Sequence, residues 1–322
     1  MQRPTNLLIV MPVYDDWASA IEVCRRVDAV MPQMSASAEI MLIDDGSQIG
    51  YPHALDVLKL ARIQVVNVLA LHRNLGHQRA IAVGLAYASA NLSADAVVIM
   101  DADGEDPPEQ IPTLLIEAEK ESFSAVVFAE RGRRVEGWLF RFLYLLYRTL
   151  HYALTGRKIR VGNFSILPWR LLNALVFYPE LWNHYAAAVL QSRLPRAMTR
   201  LDRGRRIHGK SKMGFVDLVM HGLSALFAYH DLVATRLLIG NFVVVLVSVC
   251  LVSTLVVMGG AAPFAPWVRT IFAVAIATLA GQFSTISLLA IFLVVMNRSS
   301  YQFLPARDYV HFVRQLLKVA KR

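Results

Sequence analysis

Two carboxylates one residue apart follow a short apolar stretch in the first third of the chain. The stretch covers residues 97–100, and Asp101 and Asp103 come directly after it. Its β-branched residues predict a short buried strand, so both acids are expected at the carboxyl end of that strand. Ligands bind at this end in an open α/β sheet, and hard divalent cations prefer oxygen ligands. The spacing therefore indicates a site for a hard divalent cation and a diphosphate.

The same motif also has a purely structural interpretation. Asp-x-Asp occurs by chance in many loops, and Asp106 is placed as the N-cap of a helix that begins near Pro107 and Pro108. Glu109 in the first turn of that helix would stabilise it through the helix dipole. The choice between a metal site and a capped helix therefore depends on the rest of the chain.

Similar clusters of polar residues follow other apolar stretches. Residues 7–14 and 39–43 are predicted strands, and Asp44 and Asp45 follow the second of them. A further predicted strand, residues 65–71, leads into another polar segment. Strands that alternate with helices at this spacing predict a mostly parallel sheet, in which the carboxyl ends meet at one edge. The polar clusters are therefore expected to converge on one site.

The composition separates this chain from an ordinary soluble enzyme. Its 322 residues are 56% hydrophobic and carry a formal charge of +9. This charge suits nucleic acid or an anionic membrane face, and the hydrophobicity favours the membrane, so no nucleic-acid partner is expected. Cys24 and Cys250 offer neither a metal-ligand spacing nor a disulfide pattern, which fits a reducing compartment. No G-x-G-x-x-G motif follows the first predicted strand, which disfavours a nicotinamide-dependent enzyme.

Two long uncharged segments near the carboxyl end predict a transmembrane hairpin. Residues 237–258 and 271–296 are each long enough to span a bilayer. The short loop between them carries Arg269 as its one basic residue, whereas many basic residues lie at the other end. Those residues are Arg236, Arg298, Arg307, Arg314, Lys318, Lys321 and Arg322. The positive-inside rule therefore predicts a cytoplasmic (inner) membrane protein with both termini in the cytoplasm.

The chain divides into four predicted parts. They are a catalytic domain at 1–212, a juxtamembrane amphipathic helix at 213–235, the hairpin at 236–298 and a basic cytoplasmic tail at 299–322. A segment inside the first part, residues 138–154, is aromatic on nearly every turn, which is typical of a core helix and equally of an interfacial one. Polar residues in the second span favour contacts between helices or between subunits of a homo-oligomer.

The ordered set of motifs resembles a known family. The motifs are Met11-Pro12-Val13-Tyr14, Ile43-Asp44-Asp45-Gly46-Ser47, Arg73-Asn74-Leu75-Gly76, Met100-Asp101-Ala102-Asp103 and Asp106-Pro107-Pro108-Glu109. In this order they resemble the family-two glycosyltransferases of the GT-A fold, an α/β fold with a Rossmann-like sheet. They are most similar to the polyprenyl-phosphate glycosyltransferases, of the dolichyl-phosphate mannose synthase type. The resemblance covers roughly residues 5–235.

The resemblance implies roles for individual residues in binding a nucleotide-sugar donor. The base and ribose would contact Pro12, Tyr14, Asp44 and Asp45. Asp101 and Asp103 would be catalytic and would bind Mg2+ or Mn2+ on the donor diphosphate, with Asp101 also contacting the nucleotide. A cation at this position stabilises the negative charge that develops on a leaving diphosphate.

A basic run at residues 193–212 supplies the expected acceptor site. Such a run is often only a solvated face. This one ends in a segment that resembles the family's Arg-x-x-Gly-x-Ser-Lys loop, with its ends at Arg206 and Lys212. An arginine fork and a lysine around a glycine turn suit a phosphate monoester. The lipid phosphate is therefore expected at Arg206, Ser211 and Lys212, and Arg206 and Lys212 are expected to be catalytic.

Two positions depart from the family pattern. Relatives carry an acid where Asn163 stands, and they carry Leu-Gln where this chain has Gly104 and Glu105. An amide is not a general base, but a phosphate acceptor is already anionic and needs no deprotonation, whereas a sugar hydroxyl does. Asn163 and Glu105 are candidates for contacts with the sugar or the acceptor.

These features together predict a membrane-bound enzyme of cell-envelope glycan synthesis. It would move one sugar from a nucleotide-sugar donor to a polyprenyl phosphate of the undecaprenyl or dolichyl type, with a divalent cation and with inversion implied by the family. The first alternative is the same donor site with another acceptor, a lipid hydroxyl or a glycan. The second is a catalytically inactive membrane scaffold or a small transporter subunit. The intact pair Asp101 and Asp103 argues against the scaffold, and two uncharged spans are too few for a transport path in a monomer.

Overall fold

The structure is a computed structural model. It describes residues 6–34, 36–56, 58–131, 138–156, 161–208, 226, 229–257, 265–299 and 303–321. The chain divides into two compact units. The first unit covers 1–138, 159–228 and 303–322, and the second covers 139–158 and 229–302. The chain thus leaves the first unit twice and returns to it for its last residues.

An eight-stranded sheet, counted over the described residues, forms the centre of the first unit. The strands are β1 (Asn6–Val13), β2 (Ser37–Asp44), β3 (Ile63–Leu71), β4 (Ala96–Ile99), β5 (Val126–Arg131), β6 (Val161–Pro168), β7 (Arg196–Leu201) and β8 (Val313–Lys321). Their order across the sheet is β7-β5-β6-β4-β1-β2-β3-β8. β6 and β8 run antiparallel to their neighbours, and the other pairs are parallel. The prediction of a mostly parallel α/β sheet is confirmed.

The described helices, along the chain, are α1 (Trp17–Val30), α2 (His53–Asp56), α3 (His77–Asn91), α4 (Ile111–Lys120), α5 (Trp138–Thr155), α6 (Trp169–Leu175), α7 (Tyr185–Gln191), α8 (His230–Val257), α9 (Pro266–Ser299) and α10 (Pro305–Asp308). Helices of the first unit cover both faces of its sheet. Buried residues of α1 and α4 belong to one hydrophobic core, and those of α3, α6 and α7 belong to a second.

Strand β1 shows why the predicted strands are continuous apolar runs. Leu7, Ile9 and Met11 lie in the first core, whereas Leu8 and Val10 lie in the second. Successive side chains of a strand point to opposite faces, so a strand with helices on both faces must be apolar throughout. Polar side chains that serve function therefore concentrate at the strand ends.

The carboxyl-terminal residues take part in the sheet. The predicted basic tail, residues 299–322, contains the edge strand β8, which pairs with β3. Val319 is buried in the first core, Leu317 packs on that core and Leu316 packs on the second. These alternating apolar residues explain why the segment adds to the sheet despite its basic charge.

Two helices of the second unit, α8 and α9, are long and apolar enough to cross a membrane. They pack against each other, and polar side chains join them. Ser284 Oγ donates to Asn241 Oδ1 at 2.8 Å, and Ser287 Oγ donates to the carbonyl of Leu237 at 3.4 Å. Contacts of this kind between helices were expected for the polar residues of the second span.

Helix α5 belongs to the second unit as well. Arg236 at the beginning of α8 donates to the carbonyls of Tyr152 and Ala153 at 3.4 and 2.9 Å. A cation at the carboxyl end of a helix satisfies carbonyls that lack partners within the helix. Leu145 and Leu150 of α5 are each 51% exposed, and exposed apolar side chains are typical of an interfacial helix. The predicted amphipathic helix at 213–235 lies largely outside the described residues.

Candidate active site

Asp101 and Asp103 lie just beyond the carboxyl end of β4, as predicted. The backbone N–H of Glu105 donates to Asp103 Oδ1 at 2.9 Å. The backbone N–H of Asp101 donates to Asp106 Oδ2, also at 2.9 Å. The segment thus forms a compact turn that its own carboxylates hold closed.

The prediction that Asp106 caps a helix is wrong. The N-cap residue of the 3-10 helix Pro108–Gln110 is Pro107, one position after Asp106, and it makes no side-chain cap hydrogen bond. Asp106 is 2% exposed, and its side chain accepts from the N–H of Asp101 instead. A buried carboxylate therefore holds the first acid of the motif at the end of its strand.

The segment 202–207, which follows β7, packs against this acidic turn. The N–H of Ile207 donates to the carbonyl of Asp103, and the N–H of Gly204 donates to the carbonyl of Glu105, both at 2.9 Å. Residues 204–211 also fit the G-x-x-x-x-G-K-[ST] pattern of P-loop NTPases, in which backbone N–H groups point at phosphates. In the described part of this segment, those two N–H groups bind the chain's own carbonyls, which is not the geometry of a P-loop.

Two glycines permit the close approach of the two loops. A Cβ on Gly204 would lie 2.4 Å from the carbonyl oxygen of Gly104. A Cβ on Gly104 would lie 2.5 Å from Ile207 Cγ1, and the φ angle of Gly104 is +87°. A residue with a side chain is strained at that φ and has no room at that position. The departure from the family pattern at 104 therefore accompanies direct contact between the acidic turn and the basic segment.

Two arginines of the basic segment pair with acids. Arg206 Nη1 lies 3.2 Å from Asp103 Oδ2, and Arg206 Nη2 lies 2.7 Å from Asp16 Oδ2. Arg203 forms an ion pair with Glu105. All five side chains are less than a quarter exposed, which strengthens these contacts relative to those between fully solvated charges. Asp16 was not among the predicted site residues, although it follows the first strand as the other acids follow theirs.

The electrostatic environment of Arg203 extends to the two acids of the motif. Partial burial lowers the pKa of Arg203, and the negative charges of Asp101 and Asp103 oppose that shift. An arginine remains charged at neutral pH under such conditions. Arg203 and Arg206 thus bring two positive charges to the acidic edge of the sheet.

Asp44 and Asp45 have different environments at the end of β2. Asp45 is 2% exposed and accepts from the N–H groups of Leu75 at 2.7 Å and Gly76 at 2.9 Å. Burial raises the pKa of Asp45 to about 6, and the two hydrogen bonds oppose the shift. Asp44 is partly exposed, and its Oδ1 accepts from the N–H of Ser47 at 2.9 Å. Asp45 therefore joins β2 to the segment after β3, and Asp44 is the more accessible of the two.

The residues that follow β1 and β2 are linked to each other. Pro12 in β1 pairs in register with Ile43, and both Pro12 and Tyr14 are partly exposed. Beyond them the N–H of Asp15 donates to Ser47 Oγ at 3.0 Å. The structure thus brings the four residues predicted to contact the base and ribose to adjacent strand ends.

Strand β6 brings Asn163 to Asp101. Because β6 is antiparallel to β4 and Ser165 pairs with Ile99, a residue two positions before Ser165 lies opposite a residue two positions after Ile99. Asn163 Nδ2 donates to Asp101 Oδ1 at 3.1 Å, and Asn163 is 5% exposed. Asn163, where the family resemblance implies an acid, is therefore hydrogen-bonded through its amide to the first acid of the motif.

All the predicted site residues that the structure describes lie at this edge of the sheet. They are Pro12, Tyr14, Asp44, Asp45, Asp101, Asp103, Glu105, Asn163 and Arg206. Ser211 and Lys212 lie outside the described residues, so their role stays a prediction. Gln78, which the motifs did not single out, lies 2.9 Å from Asn163 Oδ1.

The acids fit a magnesium or manganese ion that shares its ligands with a substrate. Among the described residues, no group of three or more His, Cys, Asp and Glu side chains is arranged to hold a metal by itself. Mg2+ is usually held by one or two carboxylates, with the remaining positions filled by water and substrate phosphates. Asp101 and Asp103 supply that number of carboxylates at a strand end.

Comparison with known sequences assigns the chain to a family. The profile of glycosyl transferase family 2 matches residues 8–176, more than half of the 322 residues. The chain belongs to glycosyl transferase family 2. The matched region of this family 2 chain includes the acidic turn after β4 and Asn163 in β6.

Two relatives of this family 2 chain carry the same name. The undecaprenyl-phosphate 4-deoxy-4-formamido-L-arabinose transferase of Aeromonas hydrophila is 30% identical over 221 residues, which cover 66% of this chain and 64% of that protein. The enzyme of that name from Erwinia tasmaniensis is 32% identical over 137 residues, which cover 42% of this chain and 41% of that protein. The chain thus spans less than two thirds of the length of these curated relatives.

Solved structures support the fold of this family 2 chain. Glucosyl-3-phosphoglycerate synthase from Mycobacterium tuberculosis, in complex with Mn2+, UDP and glucosyl-3-phosphoglycerate, has a TM-score of 0.51 and 17% identity. The match covers 71% of this chain and 80% of that one. A complex of the same enzyme with Mn2+, UDP-glucose and phosphoglyceric acid has a TM-score of 0.50 and 16% identity, over 72% and 79% of the two chains. The shared architecture is the GT-A fold expected from the sequence.

Proposed function

We propose that this protein transfers one sugar from a nucleotide-sugar donor to a polyprenyl phosphate. The contact between Arg206 and Asp103 is the observation that carries the proposal. It puts a side chain suited to phosphate beside the acids at the carboxyl end of β4. A reaction between a sugar diphosphate and a lipid phosphate brings two anions together, so the site must hold positive charge close to both.

The donor would bind across the ends of β1, β2 and β4. Tyr14 and Asp44, which are partly exposed, would contact the base and ribose, and Asp101 and Asp103 would hold Mg2+ or Mn2+ with the diphosphate. The Mn2+ and UDP bound by the M. tuberculosis enzyme of similar fold support a divalent cation. When bound, the cation supplies positive charge that stabilises the departing diphosphate. Arg203, beside the same acids, would add to that charge.

The acceptor phosphate would bind at Arg206, together with Ser211 and Lys212. The names of the relatives, which specify undecaprenyl phosphate, support a polyprenyl phosphate as this acceptor. An oxygen of the lipid phosphate forms a bond to the anomeric carbon as the bond to the diphosphate breaks, and the diphosphate leaves with the electron pair. Attack from the side opposite the diphosphate inverts the anomeric configuration. The Asn163 amide takes no proton in this step, and an ionised phosphate has none to give up.

The two apolar helices suit a lipid substrate. We propose that α8 and α9 span the cytoplasmic membrane as a hairpin. Arg236 lies near the beginning of α8, and Arg269 lies in the first turn of α9, beside the segment that connects the two helices. The larger number of basic residues at the other end of the hairpin supports termini in the cytoplasm. A homo-oligomer is compatible with the polar residues of the second span.

The assay uses membranes that contain the protein, incubated with a panel of radiolabelled nucleotide sugars. The expected product is extracted with lipid and released by mild acid, because a sugar phosphodiester at the anomeric carbon is acid-labile. Membranes containing Asp103→Ala at equal abundance serve as the control and should yield no such product. A label found only in alkali-stable glycolipid would contradict the phosphate acceptor and would favour a lipid hydroxyl.

A further inference from the structure

A buried series of hydrogen bonds leads from the backbone of α7 to Asp101. The N–H of Tyr185 donates to Gln78 Oε1 at 2.8 Å, and Gln78 Nε2 donates to Asn163 Oδ1 at 2.9 Å. Asn163 Nδ2 then donates to Asp101 Oδ1 at 3.1 Å. Gln78 is 6% exposed and Asn163 is 5% exposed, so both amides are shielded from water.

The two ends of this series determine how both amides are oriented. A backbone N–H can only donate, and an ionised carboxylate can only accept. Gln78 must therefore turn its oxygen to Tyr185 and its NH2 group to Asn163, and Asn163 must turn its NH2 group to Asp101. The second hydrogen of the Gln78 NH2 group points to His77 Nε2 at 3.0 Å, which makes that ring nitrogen the acceptor. All the hydrogen-bonding groups of the Gln78 amide thus have suitable partners.

We propose that Gln78 is a positioning residue of the donor site, which holds the Asn163 amide so that it donates to Asp101. The inference rests on the proposed function, in which Asp101 binds the donor. If Asn163 rotated its amide by half a turn, its oxygen would face Asp101 and its NH2 group would face the NH2 group of Gln78. Both contacts would be repulsive, so Gln78 disfavours the wrong orientation and thereby directs one oxygen of Asp101.

This role explains how the chain accommodates an amide where the family resemblance implies an acid. An acid at 163 would put a second negative charge about 3 Å from Asp101 unless a cation or proton lay between them. Asn163 removes that charge and supplies a donor, but an amide has two ends, and something must select between them. Gln78 makes the selection because its own orientation is determined by the backbone of α7.

The decisive variant is Gln78→Met, which keeps the length of the side chain and removes both hydrogen-bonding groups. The purified full chain in detergent is titrated with Mn2+, and free Mn2+ is measured by electron paramagnetic resonance. Loss of a residue that orients a metal ligand weakens metal binding about 10- to 100-fold, and a loss in this range is expected. In an Asn163→Ala background, Gln78→Met should change Mn2+ binding no further, because the effect passes through Asn163.

Tyr185→Phe is the matched control. It removes the buried hydrogen bond between the tyrosine hydroxyl and Ser165 and leaves the Tyr185 backbone donor to Gln78 in place. Both Tyr185→Phe and Gln78→Met should lower the melting temperature. Only Gln78→Met should weaken Mn2+ binding. In turnover assays, Gln78→Met should alter kcat and the donor KM and leave the acceptor KM unchanged.

A metal-free measurement separates the inference from the proposed function. Unfolding midpoints in EDTA are compared for Gln78→Met, Asp101→Ala and the double variant. Non-additive effects are expected, because the amide orientation matters less once its acceptor is gone. Additive effects in this cycle, or Mn2+ binding that is equal in Gln78→Met and the wild type, would overturn the inference. A wild type that binds no Mn2+ when nucleotide is absent would mean that the ion needs the donor diphosphate as a ligand, and the cycle alone then decides the inference. If Gln78→Met does not accumulate, Gln78→Asn, which is too short to reach Asn163, replaces it in all measurements.

Discussion

Arg206 Nη1 lies 3.2 Å from Asp103 Oδ2, although 103 residues separate the two in the sequence. The same guanidinium reaches Asp16 at 2.7 Å. A residue proposed to bind the acceptor phosphate thus contacts one proposed to bind the donor. From these roles, substitution of Asp103 should affect the reaction of the donor, and substitution of Arg206 should affect binding of the acceptor.

The first prediction concerns the acid of this pair. Asp103→Ala should lower kcat by at least about 100-fold, because the charge on the departing diphosphate loses its stabilisation. The measurement is sugar transfer by protein whose membrane insertion matches that of the wild type. Asp202→Ala, which removes an exposed carboxylate from the neighbouring loop, is the control and should leave transfer unchanged. Full activity of Asp103→Ala would remove this residue from the mechanism.

The second prediction concerns the arginine. Hydrogen bonds to charged groups contribute about 1.5–3 kcal/mol, so Arg206→Ala should raise the acceptor KM roughly 10- to 100-fold. The donor KM should change much less. The matched control is Arg205→Ala, because Arg205 is the adjacent exposed arginine. A rise in the donor KM with an unchanged acceptor KM would show that Arg206 does not bind the lipid phosphate.

The third prediction concerns the contact between the acidic turn and the basic segment. Gly104→Ala adds a methyl group 2.5 Å from Ile207 Cγ1 at a φ of +87°. The backbone conformation alone costs about 1–2 kcal/mol, and the contact adds to it, so both the free energy of unfolding and the activity should fall. Gly50→Ala is the control, because nothing lies within 4 Å of its added Cβ. Truncation of Ile207 to alanine should restore part of the loss, and no recovery would mean that the contact is not its cause.

The fourth prediction concerns the pH dependence of stability. Burial raises the pKa of Asp45 to about 6 in the folded protein, above the value of about 4 expected when the chain is unfolded. Between these values the folded protein binds more protons, so the contribution of Asp45 is present below pH 4 and is lost as pH rises through 6.

Asp45→Asn does not titrate and isolates this contribution. The free energy of unfolding of the wild type minus that of Asp45→Asn should fall by roughly 2 kcal/mol between pH 4 and pH 7. Urea unfolding in detergent at several pH values measures the difference. A difference that is constant over this range would mean that Asp45 titrates alike in both states.

Much of the fold could be predicted because the sheet is buried on both faces. Strands such as β1 and β4 must then be continuous apolar runs, and each run ends where polar residues begin. The parallel arrangement brings those ends to one edge, which is how Asp44, Asp101 and Asp103 could be assigned to one site. Helices α8 and α9 could also be predicted, because each is formed by a long run of apolar residues.

Other parts of the site depend on contacts between residues far apart in sequence. No local sequence pattern predicts three of these contacts: Arg206 with Asp16, Gln78 with Asn163, and β8 with β3. Their geometry follows from which strands are neighbours and in what register they pair. The capping role predicted for Asp106 failed for this reason, because its local pattern suits a cap and the folded chain offers it the N–H of Asp101.

The sequence by itself determined the strand ends, the acids that lie there and the apolar helices, because periodicity and residue type are local properties. Only the tertiary structure decided that Asn163 orients Asp101 and that Arg206 meets Asp103. The antiparallel register of β6 and the packing of the segment after β7 produce these contacts. Neither leaves a signal in the spacing of neighbouring residues.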